Sequence, residues 1–362
     1  MSLRRMHVAL IILVAALVAA SPVHAQADPF YAGKRLTLLI NFAAGGPADI
    51  EGRLFARHFG KHIDGNPAII VQNRDGAGGL VGTNFLGELG PRDGTMAGYL
   101  TAAAWNYVID PSSYRVDFST YEFVAYQPVN VVYYMRSDTP PGMKTGADLM
   151  RATGLVAGGL AVDSSKDLLI RLTLDMLGVS HQYVTGFRSS APARLAFQRG
   201  EISFFSESSP SYFAVVEPTM VKKRQAITVF YDPIYDGKTF APFKPMDDQS
   251  VPGFPEFHRK LKGKLPSGPM WDAYRANLAI DSAMLRTVVL PPGVPAAAVD
   301  ALRSAVARLN NDPEFARDAQ KSLQFVPHYV TGGDLNAQVR RTLVVKPEIR
   351  AFVAGYTKKA PR

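Results

Sequence analysis

The 362-residue chain has no cysteine, a formal charge of +9 and a pI near 9.6. The missing cysteines exclude a disulfide framework, a thiol nucleophile, Cys-ligated zinc and lipid anchoring at a cleavage-site cysteine. The basic residues are scattered, the densest cluster being Arg259–Lys264, and no RNP-like run, zinc finger or basic helix accompanies them. No nucleic-acid partner is therefore expected, and the cluster reads as a solvated face or a patch that docks on a membrane partner.

Arg4 and Arg5 precede an apolar run from Val8 to Ala20, and Val23-His24-Ala25 follows a Ser21-Pro22 break. This order is that of a secretory signal cleaved after Ala25; the run falls short of the roughly 20 apolar residues of a membrane span. Cleavage removes two arginines and no acid, so the charge falls to +7. An exported chain with neither lipid nor later span is retained only by an outer membrane, which points to a periplasm.

From Leu36-Thr37-Leu38-Leu39-Ile40 onwards, continuous apolar strands alternate with amphipathic segments. Ile50, Leu54, Phe55 and Phe59 share one helical face, Ala68–Val71 forms the next strand, and a second unit begins after Tyr126–Asn130. That unit holds a helix from about Asp167 to Leu177 and strands through Ile202–Phe205 and Ile227–Phe230. A Pro/Gly-rich stretch runs from Asp232 to Pro269, and a late helix carries Ala297, Leu302, Val306 and Leu309 on one face. The expected fold is α/β, with largely parallel sheets in two lobes. Residues 26–128 and 233–362 form lobe 1, with a longer insertion at about 236–281, and 129–232 form lobe 2. The hinges are expected near Pro128–Asn130 and Phe230–Pro233, with an interlobe cleft for a small ligand.

Two glycine-rich turns carry most of the information. Phe42-Ala43-Ala44-Gly45-Gly46-Pro47-Ala48-Asp49 lies between a strand and a helix; it suits either an anion at a helix N-terminus or a tight turn with a capping acid. It is no Walker loop, since no Gly-Lys-Ser/Thr follows. Asn73-Arg74-Asp75-Gly76-Ala77-Gly78-Gly79 departs from the dinucleotide G-x-G-x-x-G spacing.

In this order the turns resemble the substrate-binding proteins of tripartite tricarboxylate transporters, the Bug family of periplasmic receptors. The family pattern P-F-x-A-G-G-x-x-D, V-x-N-x-x-G-A-G-G and P-D-G-Y-T is matched at Asn41–Asp49, Val71–Gly79 and Pro91–Thr95. The likeness continues through Ala125–Val129, Thr185–Ala193, Gly200–Ser203, Leu290–Pro295 and Asp312–Phe315. The resemblance implies a type II periplasmic-binding-protein fold, a receptor with no catalytic residues and no cofactor, and a monomer that passes a small organic carboxylate to membrane transporter subunits. It places Ala44, Gly45, Gly46 and Asp49 at the ligand in lobe 1, and Ser164, Ser165, Phe187, Arg188 and Ser189 in lobe 2. Lys166, Ser206 and Trp105 join them as candidates for the cleft, Trp105 having core packing as its alternative. The usual second-lobe loop S-x-G-x-G-S-x-x-H-L is here Gly159–Leu168, which loses two glycines and gains Asp163, Lys166 and Asp167. Lys166 and Arg188 either face the cleft and hold a distal carboxylate, or pair with Asp163 or Asp167 and stiffen the loop.

No metal site is expected: His58 and His62 lack the glutamate of H-E-x-x-H, and Gly60 interrupts the helix between them. Ser165-Lys166 and Ser206-Glu207-Ser208 lie in neither a G-x-S-x-G elbow nor an S-x-x-K signature. A sensor that reports to a signalling kinase and a hydrolase on the same fold remain the alternative functions.

Overall fold

The computed structural model describes residues 28–282 and 284–359, so the signal segment and its cleavage site lie outside the described residues. In chain order, lobe 1 opens with β1 (Arg35–Ile40), α1 (Pro47–Phe59), β2 (Ala68–Asn73), α2 (Leu80–Leu89), β3 (Met96–Thr101), α3 (Ala103–Ile109) and β4 (Glu122–Gln127). Lobe 2 follows with β5 (Val131–Arg136), β6 (Leu155–Gly158), α4 (Ser165–Leu177), β7 (His181–Val184), α5 (Ser190–Arg199), β8 (Phe204–Ser208) and β9 (Ala226–Asp232). A short hairpin, β10 (Ile234–Tyr235) and β11 (Phe240–Ala241), leads to α6 (Phe254–Lys262) and α7 (Pro269–Asn277). The chain ends in β12 (Arg286–Leu290), α8 (Ala296–Leu309), α9 (Pro313–Leu323), β13 (Val330–Thr331), α10 (Leu335–Thr342) and α11 (Pro347–Lys358).

The first sheet has the order β13-β4-β12-β3-β1-β2 and the second β7-β6-β8-β5-β9. β1 is parallel to both neighbours, and Leu36, Leu38, Leu39 and Ile40 are fully buried because helices cover both faces. β12 enters antiparallel between β3 and β4, so a segment distant in sequence completes the first sheet. Leu54, Phe55 and Phe59 of α1 pack with Leu302, Val306 and Leu309 of α8 in one core, whereas Leu168, Leu172 and Leu177 of α4 belong to another. On α8 the buried stripe begins at Ala298, and Ala297 is exposed. His58 Nε2 lies 3.0 Å from Asp318 and His62 Nε2 2.9 Å from Asp312, which tie the end of α1 to α9. No group of three metal-ligating side chains, and no helix long and apolar enough to cross a membrane, occurs among the described residues.

The 236–281 segment differs from the sequence expectation, which put it in lobe 1. The rings of Phe254 and Phe257 of α6 pack, tilted, with centroids 5.1 and 5.3 Å from that of Phe230 of β9. On α7, the Tyr274 hydroxyl donates to Asp232 Oδ1 at 2.6 Å, and Asn277 Oδ1 accepts from Ser165 at 3.0 Å. Burial pushes Asp232 up to about 7, against hydrogen bonds from Tyr133 and Tyr274 that hold it down. The chain therefore passes between sheets at 128–130 and again at 278–285, rather than at Phe230–Pro233. The proline- and glycine-rich composition hid two amphipathic helices whose apolar faces cover the second sheet.

Candidate functional site

The first wall is the turn after β1. Gly45 has φ +78°, in the left-handed region that glycine enters without penalty, and Gly46 caps α1 with Pro47 as its first helical residue. Asp49 folds back on the turn and accepts hydrogen bonds from Gly45 N (2.9 Å), Arg53 Nε (2.8 Å) and Asn73 Nδ2 (2.9 Å). Burial acts to raise the Asp49 carboxyl, but these donors outweigh it and hold it below the ordinary carboxylate value. Gly79 is needed for a different reason: a Cβ there would lie 2.4 Å from Asn41 Nδ2, which bonds to the Gly79 carbonyl.

The second wall is built from the starts of α4 and α5. Ser164 caps α4, accepting from Asp167 N at 3.2 Å and donating to Asp167 Oδ1 at 2.9 Å. The same carboxylate takes Leu160 N and Thr185 Oγ1, both at 2.7 Å, and the Tyr183 hydroxyl. Asp167 is thus a loop organiser, raised by burial against these donors. Lys166 is half-buried and turns its ammonium inwards, donating to Ser206 O at 2.7 Å and Ser190 Oγ at 2.9 Å, 4.5 Å from the centre of the Phe205 ring. Desolvation pushes this ammonium down to about 8, while Glu207 and Asp167 act to raise it.

Gly46, Ser164, Ser165, Lys166, Ser189 and Ser190 meet around a cavity of about 80 Å³ between the lobes. Residues at the starts of α1, α4 and α5 all line it, and a helix start leaves backbone N–H groups without intrahelical partners. The floor holds Arg286, whose partner Glu51 is, like it, only 1% exposed. Ser208 Oγ lies 3.3 Å from Arg286 Nη2 and 3.5 Å from Glu51 Oε1, which links lobe 2 to this pair. Burial outweighs the pull of Arg286 and leaves the Glu51 carboxyl raised. Asp281 lines the same floor, pushed up to about 6 by burial against the Ser165 hydroxyl and Arg286. Behind the wall, Arg194 pairs with Glu207 at 2.6 Å and reaches Gly45 O across the cleft at 3.5 Å.

Of the residues expected at the ligand, Gly46, Ser164, Ser165, Lys166 and Ser189 line the cavity. Ala44 and Gly45 are exposed, Asp49 supports the turn, and Ser206 contributes its carbonyl to Lys166. Trp105 is fully buried in the hydrophobic core, and Phe187 is half-buried against that core; neither lines the cavity. Arg188 also lies away from it: its side chain is 82% exposed and bonds to Asp75 of lobe 1 at 3.1 Å. We expect Arg188→Ala to change affinity for the bound carboxylate by less than about 0.5 kcal/mol, the scale of an exposed ion pair; calorimetry measures it, and a larger loss would show that Arg188 swings in on binding. Lys166 pairs with neither Asp163 nor Asp167 through a direct bond.

Sequence reasoning missed Arg286, Glu51, Asp281, Ser190 and Ser208. A signal existed for two of them. Arg286 opens a strand whose five residues are all buried, and Glu51 sits on the buried side of α1. A charge in an apolar element needs a partner or a ligand.

No family model matches the chain. Among curated proteins it is 30% identical over 186 residues to a UPF0065 protein from the TAR-I ttuE-ttuC' intergenic region of Agrobacterium vitis, covering 49% of this chain and 52% of that one. It is 34% identical over 114 residues to a UPF0065 protein from the gbd 5' region of Cupriavidus necator, covering 29% and 34%. The matches thus span about half or less of these relatives. Among solved structures, the periplasmic binding protein BugD superposes with a TM-score of 0.64 at 17% identity, over 91% of this chain and 98% of BugD. MatC of Rhodopseudomonas palustris, solved with bound malate, gives 0.62 at 17% identity over 88% and 99%. A second R. palustris protein, solved with adipate, gives 0.64 at 18% identity over 90% and 95%. The chain has the two-lobed α/β fold of the BugD and MatC type of periplasmic binding protein, and its curated relatives are UPF0065 proteins.

Proposed function

We propose that the chain is a Bug-family receptor of the periplasm that captures a small organic carboxylate and delivers it, as a monomer, to the membrane subunits of a tripartite tricarboxylate-type transporter. The observation that carries this reading is the meeting of three helix N-termini from two lobes around a cavity that also holds the Lys166 ammonium. Malate in MatC and adipate in the second R. palustris neighbour are ligands of the same chemical class. A helix N-terminus contributes about 0.3–1 kcal/mol to an anion, and up to ~2 in a partly buried site. A micromolar complex needs about 8 kcal/mol, so the lobe 1 turn alone falls short and the closing second wall has to supply the rest.

The test is calorimetry of the purified mature protein with succinate, malate, adipate, citrate and the common amino acids. Micromolar binding of at least one carboxylate is expected, and its uptake by cells should be lost when the receptor gene is deleted. Failure of the whole panel to bind would overturn the receptor reading; uptake unchanged by the deletion would remove the transporter from it.

A further inference from the structure

Beside the second sheet lies a groove that shares no lining residue with the interlobe cavity. It has a volume of about 500 Å³ and follows β9, the outermost strand of the β7-β6-β8-β5-β9 sheet. One wall is the 144–147 turn, which comes so near that a Cβ on Gly146 would sit 2.7 Å from the Val229 carbonyl. Another is built from residues 249–252 with Phe257, Lys260 and Leu261 of α6, all within the 236–281 insertion.

An edge strand offers unpaired backbone groups, and the pairing of β5 with β9 shows which ones. Alternate residues of an antiparallel strand point their N–H and C=O groups to opposite sides. On β5, Arg136 N donates to Ser203 O on the β8 side at 2.8 Å, and Ser137 N donates to Gln225 O at 3.0 Å. Ala226, opposite Arg136, and Thr228 after it therefore turn their backbone groups away from β5. Ala226 is buried, whereas Thr228 is partly exposed and lines the groove. On that outer side Thr228 has no backbone partner among the described residues. Further along, Tyr231 N donates to Pro252 O at 3.1 Å, so the edge is closed there.

The side chains add charge of one sign. Lys144, Arg224 and Lys260 line the groove, all three exposed, and no acidic residue lines it. Lys144 and Arg224 make no ion pair among the described residues, and Lys260 has only Glu256, at 4.0 Å. Val221, Ile227, Val251 and Leu261 give the same groove a partly exposed apolar lining. Cations, apolar surface and an open strand edge together fit a chain in which carboxylates alternate with apolar side chains. A flat anionic lipid surface would meet the cations but not the recessed edge of the strand.

We propose that this groove docks an extended acidic segment of a partner protein, which adds to the edge of β9 at Thr228 and sets its carboxylates against Lys144, Arg224 and Lys260. The site lies outside the cleft and does not depend on which ligand the cleft holds.

The experiment is selection of a random heptapeptide library on the mature protein and on the Lys144→Glu, Arg224→Glu double variant. Peptides enriched by the wild type are expected to carry Asp or Glu at least threefold above the starting library, alternating with Val, Ile or Leu. The best of them, labelled with fluorescein, should bind the double variant at least tenfold more weakly in anisotropy titrations, with melting checked beside it. The same peptide should slow amide exchange at Thr228, followed by NMR, at least tenfold. That wild-type measurement carries the test should the variant fail to fold. No acidic enrichment, equal binding to both proteins, or unchanged exchange at Thr228 overturns the proposal, and the cations then only guard an open edge. Displacement of the peptide by phosphatidylglycerol vesicles overturns it in favour of a membrane surface. A wild-type dimer in sedimentation that the double variant lacks overturns it in favour of a second copy of this chain.

Discussion

Glu51→Leu is expected to destabilise the folded protein by about 3–5 kcal/mol, the cost of leaving one member of a buried ion pair without the other. Glu51 comes from α1 and Arg286 from β12, 235 positions apart, and both side chains are 1% exposed. Ser208 at the end of β8 touches both, so the pair joins the two parts of lobe 1 to the second lobe where the sheets meet. With Glu51 gone, the Arg286 guanidinium stays enclosed with one hydroxyl partner and only Asp281, itself pushed up by burial, as a nearby carboxyl. The raised Glu51 carboxyl adds a second expectation: its desolvation outweighs the attraction it gains from Arg286. Replacing both residues with apolar side chains of similar volume, Glu51→Leu with Arg286→Met, should therefore recover most of the loss. Urea unfolding of the two variants beside the wild type measures both effects. A single-variant cost under about 1 kcal/mol would mean that water reaches the pair and that it does not hold the lobes together.

The same residues mark the limit of what could be read from the sequence. The turn at Phe42–Asp49 was legible because its chemistry is local, and Ser164, Ser165 and Ser189 were placed at the ligand through the family resemblance. Glycine before proline, with an acid two residues on, states a helix start in a few consecutive letters. Lys166 was legible as a charge entering a neutral loop, although its bonds to Ser190 and Ser206 could not be foreseen. Arg188 shows the converse: its loop was found, but its direction depends on Asp75, 113 positions away. The floor was hidden because Glu51, Thr101, Asp281 and Arg286 meet only after β12 slots between β3 and β4, and no local pattern encodes that pairing. The placement of 236–281 failed for a related reason. Composition marked the segment only as a Pro/Gly-rich insertion of lobe 1, whereas Phe254, Phe257 and Tyr274 bind it to β9.

Lys166→Met should lower affinity for the carboxylate by about 1.5–3 kcal/mol, roughly 10- to 150-fold, the worth of a hydrogen bond to a charged group. The wild-type pH dependence provides an independent signature, with opposite signs for stability and for binding. In the ligand-free protein, desolvation pushes the ammonium down to about 8 from an ordinary 10.5. Between those values the unfolded chain holds a proton that the folded chain has released. Stability attributable to Lys166 should therefore rise with pH through that window, and the full penalty of enclosing the charge is present below about pH 8. Binding runs the other way, because the carboxylate needs the ammonium: affinity should hold below about pH 8 and fall above it. Glu207 and Asp167 raise the affinity of Lys166 for its proton, and Arg194 and Arg286 lower it. Asp281, pushed up to about 6, titrates in a separate range, so measurements from pH 7.5 to 10 with a ligand that carries no amine isolate the lysine. Proton uptake on binding, read by calorimetry near pH 8.5 in two buffers of different ionisation enthalpy, should be present in the wild type and absent in Lys166→Met. Equal uptake in both proteins, or affinity that does not change between pH 7.5 and 10, would remove Lys166 from the ligand's charge partners and leave the helix N-termini and Arg286 to bind the anion.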